Sequence, residues 1–312
     1  MYSGKIVVLG TGGTIAGTAR TVGDNIGYTA AQLGVQDLLA GIPAFKGLPI
    51  ASEQVAQIDS KDMGPQVWRD LAMRCAHWLA QADVLGIVIT HGTDTLEETA
   101  YFLQAVLSPR KPVVLTCAMR PATALVPDGP QNLVDAFSVA RAAGASGVVT
   151  VCAGVIHSAW DVRKVHPYRV DAFSSGDAGA IGYVEDGALR LVRNWPQARS
   201  GWTFDAMQNI ANGAPWPQVE IAMSHAGAGG AVVDALAAQG VAGIVVAATG
   251  NGTLHHDLEA ALVAAQAKGV RIVRSTRCEQ GRVLGHAGDV FPHSQGLSPV
   301  KARIALMLEL LA

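Results

Sequence analysis

The chain has 312 residues, half of them hydrophobic, with 15% charged, 5% aromatic and a formal net charge of −2. That length buries a full core in one large or two moderate domains, and the near-neutral balance offers no basic patch of the kind nucleic acid or an anionic membrane requires. With aromatics scarce, the core must be built from Ala, Val, Leu and Ile, which suits layered α/β packing.

Taken in order, Met1 to Val8 enters a strand without a charged leader or cleavage site, so no secretory signal is expected. Apolar runs elsewhere fall short of the roughly 18 residues of a membrane span, and a soluble, cytoplasmic protein is the expectation. Ile6 to Leu9 has no polar alternation and reads as a strand covered on both faces. Gly10, Gly12 and Gly13 then let a ligand approach the main chain. Thr11 and Thr14 fall at the carboxyl end of this strand, where ligands bind in open α/β sheets.

Thr18 to Gly27 is a polar, Gly-containing loop or lid leading to Tyr28. Thr29 to Leu39 reads as a helix. Ile50 to Ile58 reads as an extended segment that delivers Asp59 to Met63 to a strand end. Gln66 to Ala82 has helical spacing, with Val67, Leu71, Cys75, Trp78 and Leu79 on one side. Val84 to Ile89 is a second buried strand ending in Thr90-His91-Gly92-Thr93-Asp94-Thr95, before a helix over Leu96 to Leu107. Thr95 and Glu98 have the spacing of a capping box. Strand Val113 to Cys117, helix Leu133 to Ala143 and strand Val148 to Cys152 continue the alternation. Such alternation predicts a parallel sheet with helical crossovers, and places the loops carrying Thr14, Ser60, Thr93 and Ala118 on one edge.

From Ala153 the pieces become short and extended, including Asp161 to Lys164 and a hairpin over Ile181 to Val192 around Asp186-Gly187. Trp195 to Pro217 holds three Trp and three Pro with little periodicity, and suits a linker. Strands Val219 to Met223, Ile244 to Ala248 and Val270 to Arg274, with a terminal helix Pro299 to Leu311, form a second unit. The expected organisation is a larger N-terminal α/β domain, residues 1–194, with a mostly parallel sheet flanked by helices. A linker, 195–217, and a smaller C-terminal α/β domain, 218–312, complete it.

Several chemistries fail on the letters. A dinucleotide fingerprint starting at Gly10 needs glycine at position 15, which is Ile; no lysine is followed by Ser or Thr, as a P-loop requires. Gly-x-Ser-x-Gly does not occur. Cys75, Cys117, Cys152 and Cys278 show no close pair resembling a zinc or redox site, and Cys117 and Cys152, closing apolar strands, read as small buried hydrophobes. His255 and His256 are adjacent and would point apart on a helix, so no metal site is expected. His91 could serve as a base, but a histidine closing a buried strand more often bonds local backbone. What remains is a set of hydroxyls with a lysine and an aspartate; a threonine nucleophile needs a proton acceptor and donors for the oxyanion. Singly, Thr14 and Asp94 read as helix caps. Two Gly-Thr turns at the ends of two buried strands are costly to build unless a ligand meets the backbone there.

Thr11-Gly-Gly-Thr-Ile-Ala-Gly17 and His91-Gly-Thr-Asp-Thr-Leu-Glu-Glu-Thr-Ala-Tyr101 resemble the two signatures of the bacterial L-asparaginase and glutaminase-asparaginase family. Ala118 to Pro121, Asp128 to Pro130, Asp161 to Lys164 and Gly250 to Gly252 also look like its landmarks, in order. The resemblance implies a threonine amidohydrolase needing no cofactor, acting on L-asparagine with secondary L-glutamine activity. By that similarity Thr14 is the nucleophile and Tyr28 assists it, while Thr93, Asp94 and Lys164 form a second catalytic group. Ser60 and Asp94 hold the α-carboxylate and α-ammonium. Thr93 N–H and the region of Ala118 face the oxyanion, and Asn251 is expected to contact substrate. Family members are commonly homotetramers with interface sites, and Glu279 is a nearby candidate for the acid a neighbouring subunit contributes. Lys61 departs from the family pattern, where an uncharged residue is frequent. Alternatives are a non-catalytic amino-acid binding protein on the same scaffold, or an amidotransferase subunit acting on charged tRNA with a partner.

Overall fold

An unbroken aliphatic run gives the first strand, β1 (Lys5–Gly12), no solvent face. Val7, Val8 and Leu9 are fully buried, and the strand lies between β4 and β5 with parallel register to both. The computed structural model describes residues 4–197 and 203–312, and the chain divides into two compact units, Met1–Arg199 and Ser200–Ala312.

In the first unit, β1 is followed by a small antiparallel ribbon, β2 (Thr18–Ala19) with β3 (Tyr28–Thr29), which forms the stem of the loop between them. The helix expected over 29–39 is confined to α1 (Val35–Ala40). The N–H groups of Ala31, Gln32 and Leu33 are taken up by the carbonyls of Gly13 and Ala16, and Ala31 adopts φ 57°, so a helix cannot start earlier. Then come β4 (Ile50–Ile58), α2 (Pro65–Leu79), β5 (Val84–Thr90), α3 (Leu96–Leu107) and β6 (Val113–Thr116). Next is α4 (Gly129–Ala140), which begins four residues before the periodicity suggests because Pro130 occupies its first turn. After β7 (Val148–Cys152) and β8 (Val155–Ser158), a short pair, β9 (Arg163–Lys164) and β10 (Phe173–Ser174), precedes the expected hairpin of β11 (Gly182–Glu185) and β12 (Ala188–Leu191).

The main sheet runs β12-β11-β8-β7-β6-β5-β1-β4, parallel from β7 to β4 and antiparallel at the other end. Alternate side chains serve the two faces. Ile6, Val8, Val88, Val114 and Val149 pack with α1 and α4 through Val35, Leu133 and Phe137. Helices α2 and α3 pack together and against the sheet, with Trp68 stacked on Phe102 at 5.1 Å and its indole N–H donated to Thr99 at 2.9 Å.

The second unit stands on three parallel strands, β13 (Val219–Met223), β14 (Gly243–Ala248) and β15 (Arg271–Thr276). Helices α6 (Ala231–Ala238) and α7 (His256–Ala267) share one apolar cluster with them; α8 (Pro299–Leu311) covers the other face and packs with α5 (Thr203–Ala211). The stretch 195–217, read as a linker, thus contains a helix, while its residues 198–202 lie outside the described ones. Among the described residues, no helix is long and apolar enough to cross a membrane.

Candidate active site

Because β4, β1, β5 and β6 are parallel neighbours, their carboxyl ends open on the same edge. The turns leaving them carry Ser60, Thr14, Thr93 with Asp94, and Ala118. Ser60, Thr14, Thr93 and Ala118 are all buried.

Two glycines let the turns meet. Gly13 has φ 83°, and a Cβ there would lie 2.3 Å from Gly92 Cα; a Cβ on Gly92 would lie 2.4 Å from Ser60 Oγ. No side chain fits between the Thr14 and Thr93 turns, which are therefore held backbone to backbone. Gly13→Ala is expected to cost about 2–4 kcal/mol through left-handed strain and overpacking, checked by urea unfolding.

Thr14 opens a 3-10 turn, and its Oγ1 lies 2.8 Å from the Tyr28 hydroxyl brought by the β2–β3 ribbon. Lys164 Nζ donates to Thr93 Oγ1 at 2.9 Å and to Asp94 Oδ1 at 2.5 Å. Ser60 Oγ accepts the Asp94 N–H at 3.1 Å. Thr95 Oγ1 does not cap α3; it donates to the Ser60 carbonyl at 2.7 Å. The capping-box expectation is thus overturned: the hydroxyl joins two strand-end turns instead.

Sequence reasoning missed three supports. The Glu97 carboxylate accepts the Lys164 N–H at 2.7 Å, fixing the lysine's backbone from α3. Asp128 accepts the Met119 and Arg120 N–H groups, and Asn132 Nδ2 donates to the Cys117 carbonyl, so Ala118 is flanked by anchored backbone. Glu97 and Asp128 stand inside the motifs, but neither has a spacing that announces its long-range partner.

The Lys61 Nζ lies 3.0 Å from Asp59 and 2.9 Å from Asp62, and the side chain is well exposed. Lys61→Ala should alter KM by less than about twofold, since exposed pairs of this kind contribute little; steady-state kinetics at two salt concentrations checks it.

His91 is fully buried beneath the second turn, with Nδ1 2.7 Å from the Gly92 carbonyl. Burial lowers its pKa to about 4, so at neutral pH the ring is uncharged and Nδ1–H donates. It braces backbone, in line with the plainer expectation. The sign of its linkage is fixed: stability is fully present above the unfolded pKa near 6.5 and is lost as pH falls from there to about 4. The contribution is roughly 3 kcal/mol. Unfolding midpoints should drop across that window, and the His91 ring resonances should titrate near its lower end.

Asn251 belongs to the second unit, where its side-chain amide donates to the Leu284 carbonyl at 3.1 Å and accepts the Leu284 N–H at 2.7 Å. Those bonds give it a local bracing role there. His255 and His256 do not point apart. His255 precedes α7 in extended conformation as its N-cap, so the two rings stack at 4.4 Å beside Asp257, an exposed cluster in the second unit.

Comparison with known proteins fits this geometry. The family model described as "Asparaginase, N-terminal" matches residues 5–197, and "Glutaminase/Asparaginase C-terminal domain" matches 218–312. An L-asparaginase 2 of Bacillus subtilis is 39% identical, covering 98% of this chain and 82% of that protein. A glutaminase-asparaginase of Pseudomonas fluorescens is 38% identical, covering 98% and 86%. A crystal structure described as "Probable Cytoplasmic L-asparaginase" from Campylobacter jejuni superposes with TM-score 0.92 at 38% identity, covering 98% of this chain and 95% of that one. With both family models matched in order over nearly its whole length, the chain belongs to the asparaginase family.

Proposed function

We propose that this enzyme hydrolyses the side-chain amide of L-asparagine to L-aspartate and ammonia through a threonine acyl-enzyme, with L-glutamine as a slower substrate. The observation that carries the reading is the pairing of Thr14 with Tyr28 and of Thr93 with Lys164 and Asp94, on turns pressed together by Gly13 and Gly92.

Thr14 Oγ1 attacks the amide carbon, passing its proton toward the Tyr28 oxygen 2.8 Å away. The tetrahedral oxyanion faces the Thr93 N–H, which no acceptor takes up among the described residues, and the anchored backbone around Ala118. One such donor is worth roughly 10²–10³ in rate. Collapse breaks the carbon–nitrogen bond, and the amide nitrogen takes the proton relayed through the Tyr28 hydroxyl and leaves as ammonia. Water then attacks the ester, activated through Thr93 by Lys164 and Asp94, and aspartate leaves.

The same groups read the amino-acid head. Asp94 is half exposed and keeps its second carboxylate oxygen for the α-ammonium. At an effective dielectric of ~20, a charge pair 4 Å apart is worth ~4 kcal/mol. Ser60 accepts the Asp94 N–H, leaving its own proton for the α-carboxylate. In the homotetramer we expect, Asn251 and an acid near Glu279 approach the site from a neighbouring subunit; the second Asn251 amide hydrogen is the part that reaches substrate. Sedimentation velocity tests the assembly. We propose a cytoplasmic location, a reading supported by the description of the Campylobacter jejuni structure.

Purified protein mixed with asparagine should release ammonia and aspartate in equal amounts, with glutamine slower. Calorimetric binding of asparagine with no ammonia released would instead favour the silent binding protein.

A further inference from the structure

One buried pair of nucleophilic side chains has no part in the proposed chemistry. Cys117 and Cys152, expected as separate buried hydrophobes, bring their Sγ atoms to 3.2 Å, closer than ordinary contact of two sulfurs. Both are almost fully buried. The reason is register: β6 and β7 are parallel with Thr116 beside Val151, so the next residue on each strand falls side by side.

The strand ends are clamped around the pair. On one side the Thr116 hydroxyl donates to the Val151 carbonyl at 2.8 Å. On the other, Asn132 donates to the Cys117 carbonyl and accepts the Ala153 N–H, each at 2.9 Å. A disulfide needs sulfurs about 2.0 Å apart and Cα atoms about 4.4–6.8 Å apart, and adjacent strands spaced about 4.8 Å supply the latter. Closure therefore asks for roughly 1 Å of side-chain rotation, with the backbone clamp unchanged.

We propose that Cys117 and Cys152 are a site of reversible covalent modification, forming an internal disulfide when the folded protein meets a peroxide. One sulfur attacks the peroxide O–O bond, becoming a sulfenic acid and releasing one water. The second sulfur displaces the hydroxyl, which leaves as a second water, so two thiols and one peroxide give one disulfide and two waters. The bond joins positions 35 residues apart around α4, and it ties down the backbone immediately before Ala118. Hydrogen bonding to Cys152 and burial push the Cys117 thiol well up, which makes the reaction slow, needing the strand ends to breathe. In a reducing compartment the pair rests as thiols and closes only under oxidative load.

The test uses full-length protein carrying Cys278→Ser, which removes the exposed thiol and leaves buried Cys75 as an internal control. It is treated with hydrogen peroxide, unfolded and alkylated. The expected result is loss of two hydrogens in intact mass, two of the three thiols blocked, the Cys117 and Cys152 peptides joined, and full reversal by dithiothreitol. The thermal midpoint should rise by a few degrees, because cross-linking restricts the unfolded chain. Cys117→Ala, and separately Cys152→Ala, in the same background should abolish both the linked peptide and the midpoint rise. The proposal is overturned if oxygen adds to either sulfur without linkage. It also fails if both thiols still alkylate after a dose that oxidises exposed Met223.

Discussion

Thr14→Val should lower kcat for asparagine by about 10⁴-fold or more, the scale seen when a nucleophile is removed from a group of residues that act together. Valine keeps the shape of the buried side chain and removes only the hydroxyl that faces Tyr28. The fold should lose no more than ~1 kcal/mol, the net value of one hydrogen bond. Asparagine binding, measured by calorimetry on the inactive variant, should stay within a few-fold of the starting affinity, because the head-group contacts lie on Asp94 and Ser60. Thr14→Ser retains the hydroxyl and should keep measurable activity. A Thr14→Val enzyme with undiminished turnover would remove the nucleophile assignment.

The second large effect is expected at Lys164. Its side chain is mostly buried and supplies both the hydrogen bond to Thr93 and the ion pair to Asp94. Lys164→Met should reduce kcat on the order of 10³-fold, the middle of the range for positioned proton-transfer groups. Stability should fall little, since Asp94 is half exposed and water can solvate it once the partner is gone. Arginine should not rescue activity: its planar fork cannot present a single nitrogen to Thr93 and Asp94 together in the space of an ammonium. The backbone of residue 164 remains tied to Glu97, so the loop itself should hold. If rapid-quench measurements on Lys164→Met show a normal ammonia burst followed by slow aspartate release, the lysine acts on the second half-reaction; loss of the burst assigns it to the first.

How far the sequence reveals this arrangement follows from the range of the forces involved. The strands β1, β5 and β7 are legible because burial on both faces demands unbroken aliphatic runs, and the parallel order follows from alternation with helices. That pattern alone places Thr14, Ser60, Thr93 and Ala118 on one edge. The lysine is not placed by pattern, since β9 is two residues long and, among the described residues, paired with β10 alone; it is the resemblance that singles it out. Local rules fail where a distant group competes. Thr95 has the letters of a capping box, but the Ser60 carbonyl takes its hydroxyl. The segment after Tyr28 has helical spacing, but carbonyls of the first turn claim its N–H groups. The contact of Cys117 with Cys152 depends on strand register, which spacing along the chain does not encode.

The central claim is that the Thr14 oxygen becomes covalently bonded to the substrate's acyl carbon. Acid quenching of enzyme with saturating asparagine in the first turnover, followed by peptide mass spectrometry, tests it most directly. An aspartyl ester is expected on the peptide containing Thr14, absent from Thr14→Val and discharged by hydroxylamine. An aspartyl adduct on Thr93 instead, or label from heavy-oxygen water entering aspartate with no adduct at any time point, would contradict it.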